Sequence, residues 1–200
     1  MLLSILSELP TGHVLHPQGF TAFNYSPEEK QTQSDLIKQR IFDGLLNYQQ
    51  KICENVEKRI VGFCAGYGAG KTRTLCAWST LCALDNPDTV GAVFAPTGAL
   101  VRDVLQRSLE EFWENHAVKF EYRASPLPEY KLNLPNGEVT ILCRSMESWQ
   151  RIIGVNLSFI ASDELDTTKP DIAQKAIEKF LGRLRAGNRR QLGLFSTPEG

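Results

Sequence analysis

"GFCAGYGAGKTRTL" (62–75) decides how this chain is read. Gly62, Gly66, Gly68 and Gly70 are crowded into it, and the loop they form ends in Lys71-Thr72. The apolar run "RIVGFCA" (59–65) leads in, as a buried parallel strand would. "KTRTLCAWSTLCAL" (71–84) leads out as a helix that stops before "DNPD". The phosphate-binding pattern G-x-x-x-x-G-K-S/T sits between a strand and a helix in this way. Ala65, Gly66, Tyr67, Gly68, Ala69, Gly70, Lys71 and Thr72 fill it here, with alanine at the position of the first glycine. Glycines let successive backbone N–H groups turn inward around phosphate oxygens, and the helix N-terminus adds the positive end of its dipole. In that role Lys71 reaches the β- and γ-phosphates and Thr72 ligates Mg2+. The plain alternative is a glycine-rich turn, which the strand and helix on either side argue against.

Outward from the loop, strands and helices alternate. "SPEEKQTQSDLIKQRIFDGLLNYQQKICENV" (26–56) predicts a helix capped by Ser26, with Pro27 in its first turn, Glu29 closing a capping box and Gly44 a possible break. "TVGAVFAPT" (89–97) predicts a second buried strand, and "ALVRDVLQRSLEEFWENH" (99–116) an amphipathic helix. "YKLNLPNGEVTILC" (130–143) predicts a hairpin turning at Asn136-Gly137. "LSFIASDEL" (157–165) predicts a buried strand ending in acids. A helix then starts near Pro170 and ends at Gly187, and "QLGLFSTPEG" (191–200) is the last strand. This order is an α/β fold with a mainly parallel sheet. Residues 1–25, broken by Pro10, Gly12, Pro17 and Gly19, read as an irregular arm, and 26–200 as one domain.

Bulk properties narrow the class. A net charge of -1 offers no global basic field for nucleic acid. The five cysteines make no CxxC pair and lie in apolar segments, which reads as buried free thiols in a reducing compartment. No apolar run is long enough to span a membrane. "MLLSILSELP" lacks the basic start of a secretory signal.

Four further groups carry chemistry. In "FIASDE" (159–164) Asp163 and Glu164 stand at the carboxyl end of a strand, where open α/β sheets bind ligands. Asp163 would hold the magnesium shell, and Glu164 would orient and deprotonate an attacking water. In "FSTPEG" Ser196 and Thr197 end a strand where hydroxyls could sense a γ-phosphate. In "NYQQ" (47–50) Gln49 or Gln50 could pair with an adenine edge and Tyr48 could stack on it; an exposed helical glutamine is the simpler reading. Lys175, Lys179, Arg183, Arg185, Arg189 and Arg190 form the one strongly basic stretch, facing DNA phosphates, a neighbouring subunit or only solvent.

"AGYGAGKT", "FIASDE" and "FSTPEG" in that order, with the "LPNGEVTIL" hairpin ahead of the acidic strand, resemble the ATPase domain of the large terminase subunit of tailed bacteriophages. The resemblance covers roughly residues 45–200 and implies a RecA-like, additional-strand P-loop NTPase fold with a β-hairpin insertion. It implies hydrolysis of ATP with Mg2+ to drive double-stranded DNA into a procapsid. The implied partners are a portal protein, a small terminase subunit and further copies in a ring, with no membrane; the implied setting is the cytoplasm of an infected bacterium. It assigns Gly66, Gly68, Gly70, Lys71 and Thr72 to the phosphate loop and Asp163 to magnesium. Glu164 becomes the catalytic acid, Ser196, Thr197 and Pro198 the coupling segment, and Gln49 the adenine contact. A nuclease domain is expected beyond residue 200.

Two positions depart from the family. Tyr67 stands where many members carry an arginine, and Ile153 precedes Gly154 where many carry the arginine given to a neighbouring subunit. Arg151 is the nearest substitute, with Arg102 and Arg73 as other candidates. Such an arginine finger is worth about 10³- to 10⁵-fold in rate, so the isolated domain is expected to be monomeric and a weak ATPase. The rival readings are a two-lobed helicase or remodelling ATPase, and a nucleotide-binding scaffold that does not hydrolyse, against which Glu164 speaks.

Overall fold

The computed structural model describes residues 26–198. The expected N-terminal arm lies outside them. A seven-stranded sheet runs in the order β1-β7-β6-β2-β5-β4-β3, with β1 (Ile60–Cys64), β2 (Val90–Ala95), β3 (Lys119–Arg123), β4 (Glu129–Leu134), β5 (Gly137–Ser145), β6 (Phe159–Asp163) and β7 (Gln191–Ser196). The first five in that order are parallel neighbours, and β4 and β3 close the far edge antiparallel. β7 lies between β1 and β6, which makes it the additional strand of a RecA-like P-loop NTPase.

The helices are α1 (Pro27–Asp43), α2 (Asn47–Cys53), α3 (Lys71–Asp85), α4 (Gly98–Leu100), α5 (Arg107–Asn115) and α6 (Pro170–Arg183). The predicted long first helix is two helices, with the α1 C-cap at Gly44; the Ser26–Glu29 capping box is present in full. Between α4 and α5 the chain widens into a π-helical stretch, Val101–Gln106. The buried residues Val101, Leu105, Leu109 and Trp113 recur every fourth position. A 3.6-residue turn would rotate that stripe by about 40° per step, and a wider i→i+5 turn takes up part of the drift.

α3 is the centre of the packing. Twelve of its fifteen residues are buried. On its side of the sheet it shares one apolar core with α1, α2, α5 and the hairpin strands. The opposite face packs under α6 and the 3-10 segment Met146–Ile152. Trp78 meets Phe159 and Phe195 edge-on at 6.1 and 5.9 Å. Gly193 makes room for it, because a Cβ there would stand 3.0 Å from the indole.

The structure corrects several expectations. β1 is an edge strand, and Ile60, Gly62 and Cys64 are exposed, so its apolar run is not a two-sided burial pattern. Cys64 therefore departs from the four buried thiols; burial pushes those of Cys53 and Cys143 up to about 12. Leu134 pairs with Gly137, so the hairpin turns at Pro135-Asn136, one residue earlier than predicted. The Asn136 amide donates to the Leu84 carbonyl and ties the turn to the end of α3. α6 stops at Arg183, because the Arg183 carbonyl accepts from Leu157 N–H and Leu184 bridges Leu157.

Arg189, read as part of a basic face, is buried. Its guanidinium donates to Asp85 (2.9 Å), Gln191 (2.6 Å) and the Cys53 carbonyl (3.0 Å). Beside it, Asn86 accepts from the N–H groups of Asn188 and Arg189 and donates to the carbonyls of Cys82 and Arg189. Gly187, at φ 69°, leaves no space for a side chain against Asn86. These contacts fasten the C-terminal end of α3 to the start of β7. Asp85 also pairs with Lys38 at 2.7 Å, so the loss of Arg189 is felt mainly as three lost charge-assisted hydrogen bonds, two of them to the buried Gln191 and the Cys53 carbonyl. Arg189→Ala is therefore expected to lower the unfolding free energy by about 3 kcal/mol in urea denaturation. Arg190→Ala, at an exposed site, should change it by less than about 0.5 kcal/mol.

Candidate functional site: a phosphate loop facing two acids

The glycine loop leaves β1 and enters α3 at the carboxyl edge of the sheet. Gly68 (φ 76°) and Gly70 (φ 74°) are left-handed, a conformation that costs a side-chain-bearing residue but not glycine. Ala65 is not among the positive-φ residues, so alanine fits where the pattern has its first glycine. Its N–H donates to the Ser196 carbonyl and joins the loop to β7. Lys71 is buried at the start of α3. Its ammonium donates to the carbonyls of Ala65 (3.0 Å) and Gly66 (3.1 Å) and lies 3.7 Å from Glu164 Oε1. It also sits 5.6 Å from the centre of the exposed Tyr67 ring.

Across the loop, β6 delivers the two acids. Asp163 is buried; its Oδ2 accepts from the Thr72 hydroxyl at 3.2 Å, and its Oδ1 is buried with no hydrogen-bond partner. Burial pushes the Asp163 carboxyl up to about 6, with the neighbouring Glu164 charge adding to it; the Thr72 hydrogen bond and Lys71 pull the other way. Glu164 is a non-glycine residue in the left-handed region (φ 43°), an uncommon conformation at a strand end. That turn sends its carboxylate toward β7, where Oε2 accepts from Thr197 N–H (2.9 Å) and Oε1 from the Thr197 hydroxyl (3.0 Å).

These atoms form a continuous set: Lys71, Thr72, Asp163, Glu164 and Thr197 meet within contact distance, from the first turn of α3 and the ends of β6 and β7. A buried carboxylate oxygen lacking a partner beside a hydroxyl is a hard-oxygen donor set that suits Mg2+, which takes one or two protein oxygens and completes its shell elsewhere. Among the described residues no cluster of three or more His, Cys, Asp or Glu side chains stands ready for a metal.

The other predicted residues fall as follows. Gln49 is buried on α2 against Gly70, and Tyr48 donates to the Ala69 carbonyl, so both adjoin the loop. Arg151 is exposed in the 3-10 segment after β5 and makes no hydrogen bond or ion pair with a described residue. Arg73 donates to the Gly44 carbonyl, and Arg102 is exposed beside Gly98. Asp166 went unmarked in the sequence; its backbone N–H and carboxylate both meet the Ser196 hydroxyl. Its position three residues after Asp163 was the only signal, and nothing in the spacing separates it from a solvated turn.

A family model described as DEAD/DEAH box helicase matches residues 46–198, and the chain belongs to that family. No curated protein sequence matches it. Among solved structures, the fold is similar to the large terminase of a thermophilic bacteriophage, with 15% identity over 75% of this chain and 38% of that one and a TM-score of 0.63. It is similar to the large terminase ATPase domain of Thermus phage P74-26, with 19% identity over 80% of this chain and 68% of that one and a TM-score of 0.55. It is also similar to Saccharomyces cerevisiae Dbp5, with 16% identity over 86% and 46% and a TM-score of 0.50. At these identities the likeness is one of fold. The chain spans 38% of the length of the first of these terminases.

The raised Asp163 group has a consequence for stability. A carboxyl whose folded pKa lies above its unfolded value stabilises the fold while protonated, and that contribution is lost as pH rises through about 6. Without divalent metal, unfolding free energy is expected to fall between pH 5 and pH 7. Asp163→Asn should remove that part of the slope, gaining on the parent by at most about 3 kcal/mol at pH 7. Chemical denaturation at the two pH values in a chelating buffer measures it.

Proposed function

We propose that the chain is the ATPase domain of a DNA-packaging motor, which hydrolyses ATP with Mg2+ to translocate double-stranded DNA into a procapsid. The observation that carries the hydrolytic part is the convergence of Lys71, Thr72, Asp163 and Glu164 at one edge of the sheet. The likeness to large terminases supports the motor part, and one of those terminases was solved with ADP and with ATP-γ-S. A portal protein, a small terminase subunit and further copies of the chain in a ring belong to the same proposal.

In this reading Lys71 exchanges the carbonyls of Ala65 and Gly66 for phosphate oxygens. Thr72 and Asp163 would hold Mg2+, which when bound neutralises charge on the phosphates and fixes their oxygens. Glu164 orients the water and accepts its proton. To do so it gives up one or both hydrogen bonds to Thr197, which links the chemical step to β7. The stripe Lys175, Lys179 and Arg183 recurs at every fourth residue of α6; its two lysines are exposed and suit a phosphate backbone. A second reading, a helicase or remodelling ATPase, is favoured by the family match and by the likeness to Dbp5.

Hydrolysis measured against protein concentration tests the proposal. Glu164→Gln should retain ATP binding and lose at least about 100-fold in turnover. Activity rising more steeply than linearly in concentration is expected if a neighbour supplies an arginine. Linear activity would place that group in the same chain. Tight binding without turnover at any concentration would sink the hydrolytic reading, and displacement of a strand from a duplex would favour the helicase. Reversing Lys175, Lys179 and Arg183 to Glu should abolish duplex binding at low salt and leave basal hydrolysis unchanged.

A further inference from the structure

Two arginines stitch α1, α3 and α5 together. Arg40 of α1 donates to the His116 carbonyl at the end of α5 (3.2 Å), and Arg73 of α3 donates to the Gly44 carbonyl at the end of α1 (2.9 Å). Each guanidinium sits on the carbonyl end of a helix, where the dipole favours a cation. Among the described residues neither forms an ion pair.

Between α3 and α5 the chain leaves a cavity of about 440 Å³, within the range of about 300 to 1,000 Å³ usual for small-molecule sites. Arg73 and Cys76 line it from α3, and Phe112, Asn115 and His116 from the end of α5. Its walls differ in kind. The Phe112 ring stacks on the His116 imidazole at 4.1 Å and, with the buried Cys76 thiol, makes an apolar side. Burial pushes the Cys76 thiol far above its ordinary range, so it carries no charge. The exposed side chains of Arg73 and Asn115 bring donors to the other side. Among the described lining residues Glu111 is the one acid, and it makes no ion pair with Arg73.

His116 is the hinge between the two walls. Its Nδ1 donates to the Phe112 carbonyl at 2.7 Å, so the nitrogen left for a ligand is Nε2. Burial holds the imidazole below its ordinary range, and Arg73 and Arg40 add to this against the Phe112 hydrogen bond. The charges that the ring feels are thus two cations. A neutral ring offers Nε2 as an acceptor; an anion brought beside it favours the protonated ring, which donates.

We propose that the α3–α5 cavity binds a small organic carboxylate, its apolar body against Phe112 and Cys76 and its carboxylate on Arg73 and His116 Nε2. The site is separate from the phosphate loop, and the inference holds whether or not the chain hydrolyses ATP. Arg73 follows Thr72 in the first turn of α3, so an occupant that draws on Arg73 reaches the helix that closes the loop.

Calorimetric titration with phenylacetate tests it, with phenethylamine as the cationic control. The parent chain should bind the acid and not the amine. Arg73→Ala should weaken phenylacetate at least about tenfold, for a lost charge-assisted hydrogen bond. Equal binding of acid and amine, or an unchanged affinity in Arg73→Ala, would overturn the proposal. If Arg73→Ala fails to fold, the exposed Glu111→Gln decides in its place: removing that charge should tighten phenylacetate about threefold, and an unchanged affinity would overturn it. In the parent chain affinity should also rise as pH falls from about 7.5 to about 5.5, by up to about tenfold per pH unit for one proton taken up. The His116 ring signals in NMR should then titrate at higher pH with phenylacetate present. A flat pH profile with unmoved His116 signals would defeat the assignment.

Discussion

α3 has to meet two demands at once, and much of the structure follows from them. Its first turn must present bare N–H groups at the sheet edge, while nearly everything behind that turn is buried. A helix dry on all sides cannot be an amphipathic lid. It has to be covered, and α1, α2, α5 and the hairpin strands supply the cover. Its far end is tied by Asn86 and by the Asp85–Arg189 pair, so the helix cannot slide along its axis without breaking a buried ionic and amide network. The phosphate loop is in this sense aimed from both ends.

The same geometry sorts the two acids. Adjacent residues of a strand point to opposite faces, so consecutive carboxylates at the end of β6 begin with different neighbours. Asp163 turns toward α3 and Thr72. Glu164, taken out of the strand by its left-handed backbone, turns toward β7 and Thr197. One carboxylate is left dry with an oxygen unpartnered; the other is held by two donors that it can release. Two side chains of nearly the same chemistry thus acquire different surroundings from backbone placement alone.

How legible was this in the sequence? The loop and the acidic strand were, because each rests on a local rule: glycines at left-handed positions, an apolar run ending in acids, a Ser26–Glu29 box opening a helix. What escaped depended on long-range packing. Arg189 looks like its basic neighbours, and only Asp85 and Cys53, distant in sequence, make it a core residue. β1 reads as buried from its apolar residues, and its place at the sheet edge is a property of strand order. β3, "KFEYR", is polar and was not predicted at all; its pairing with β4 alone makes it a strand. Spacing placed Gln49 beside the loop, and the partners of its amide, Gly70 and Leu46, come only from the fold.

The site is therefore held from two sides by elements that each touch it through a hydrogen bond easily exchanged. α2 grips the loop through two carbonyls, and β7 grips Glu164 through Thr197 while its Ser196 carbonyl takes the Ala65 N–H. Lys71 stands between them, bonded to the loop and within ionic reach of Glu164. A triphosphate that draws Lys71 away removes the cation beside Glu164 and leaves Thr197 as its chief restraint. Binding at the loop and freedom of the acid are then coupled through one ammonium group.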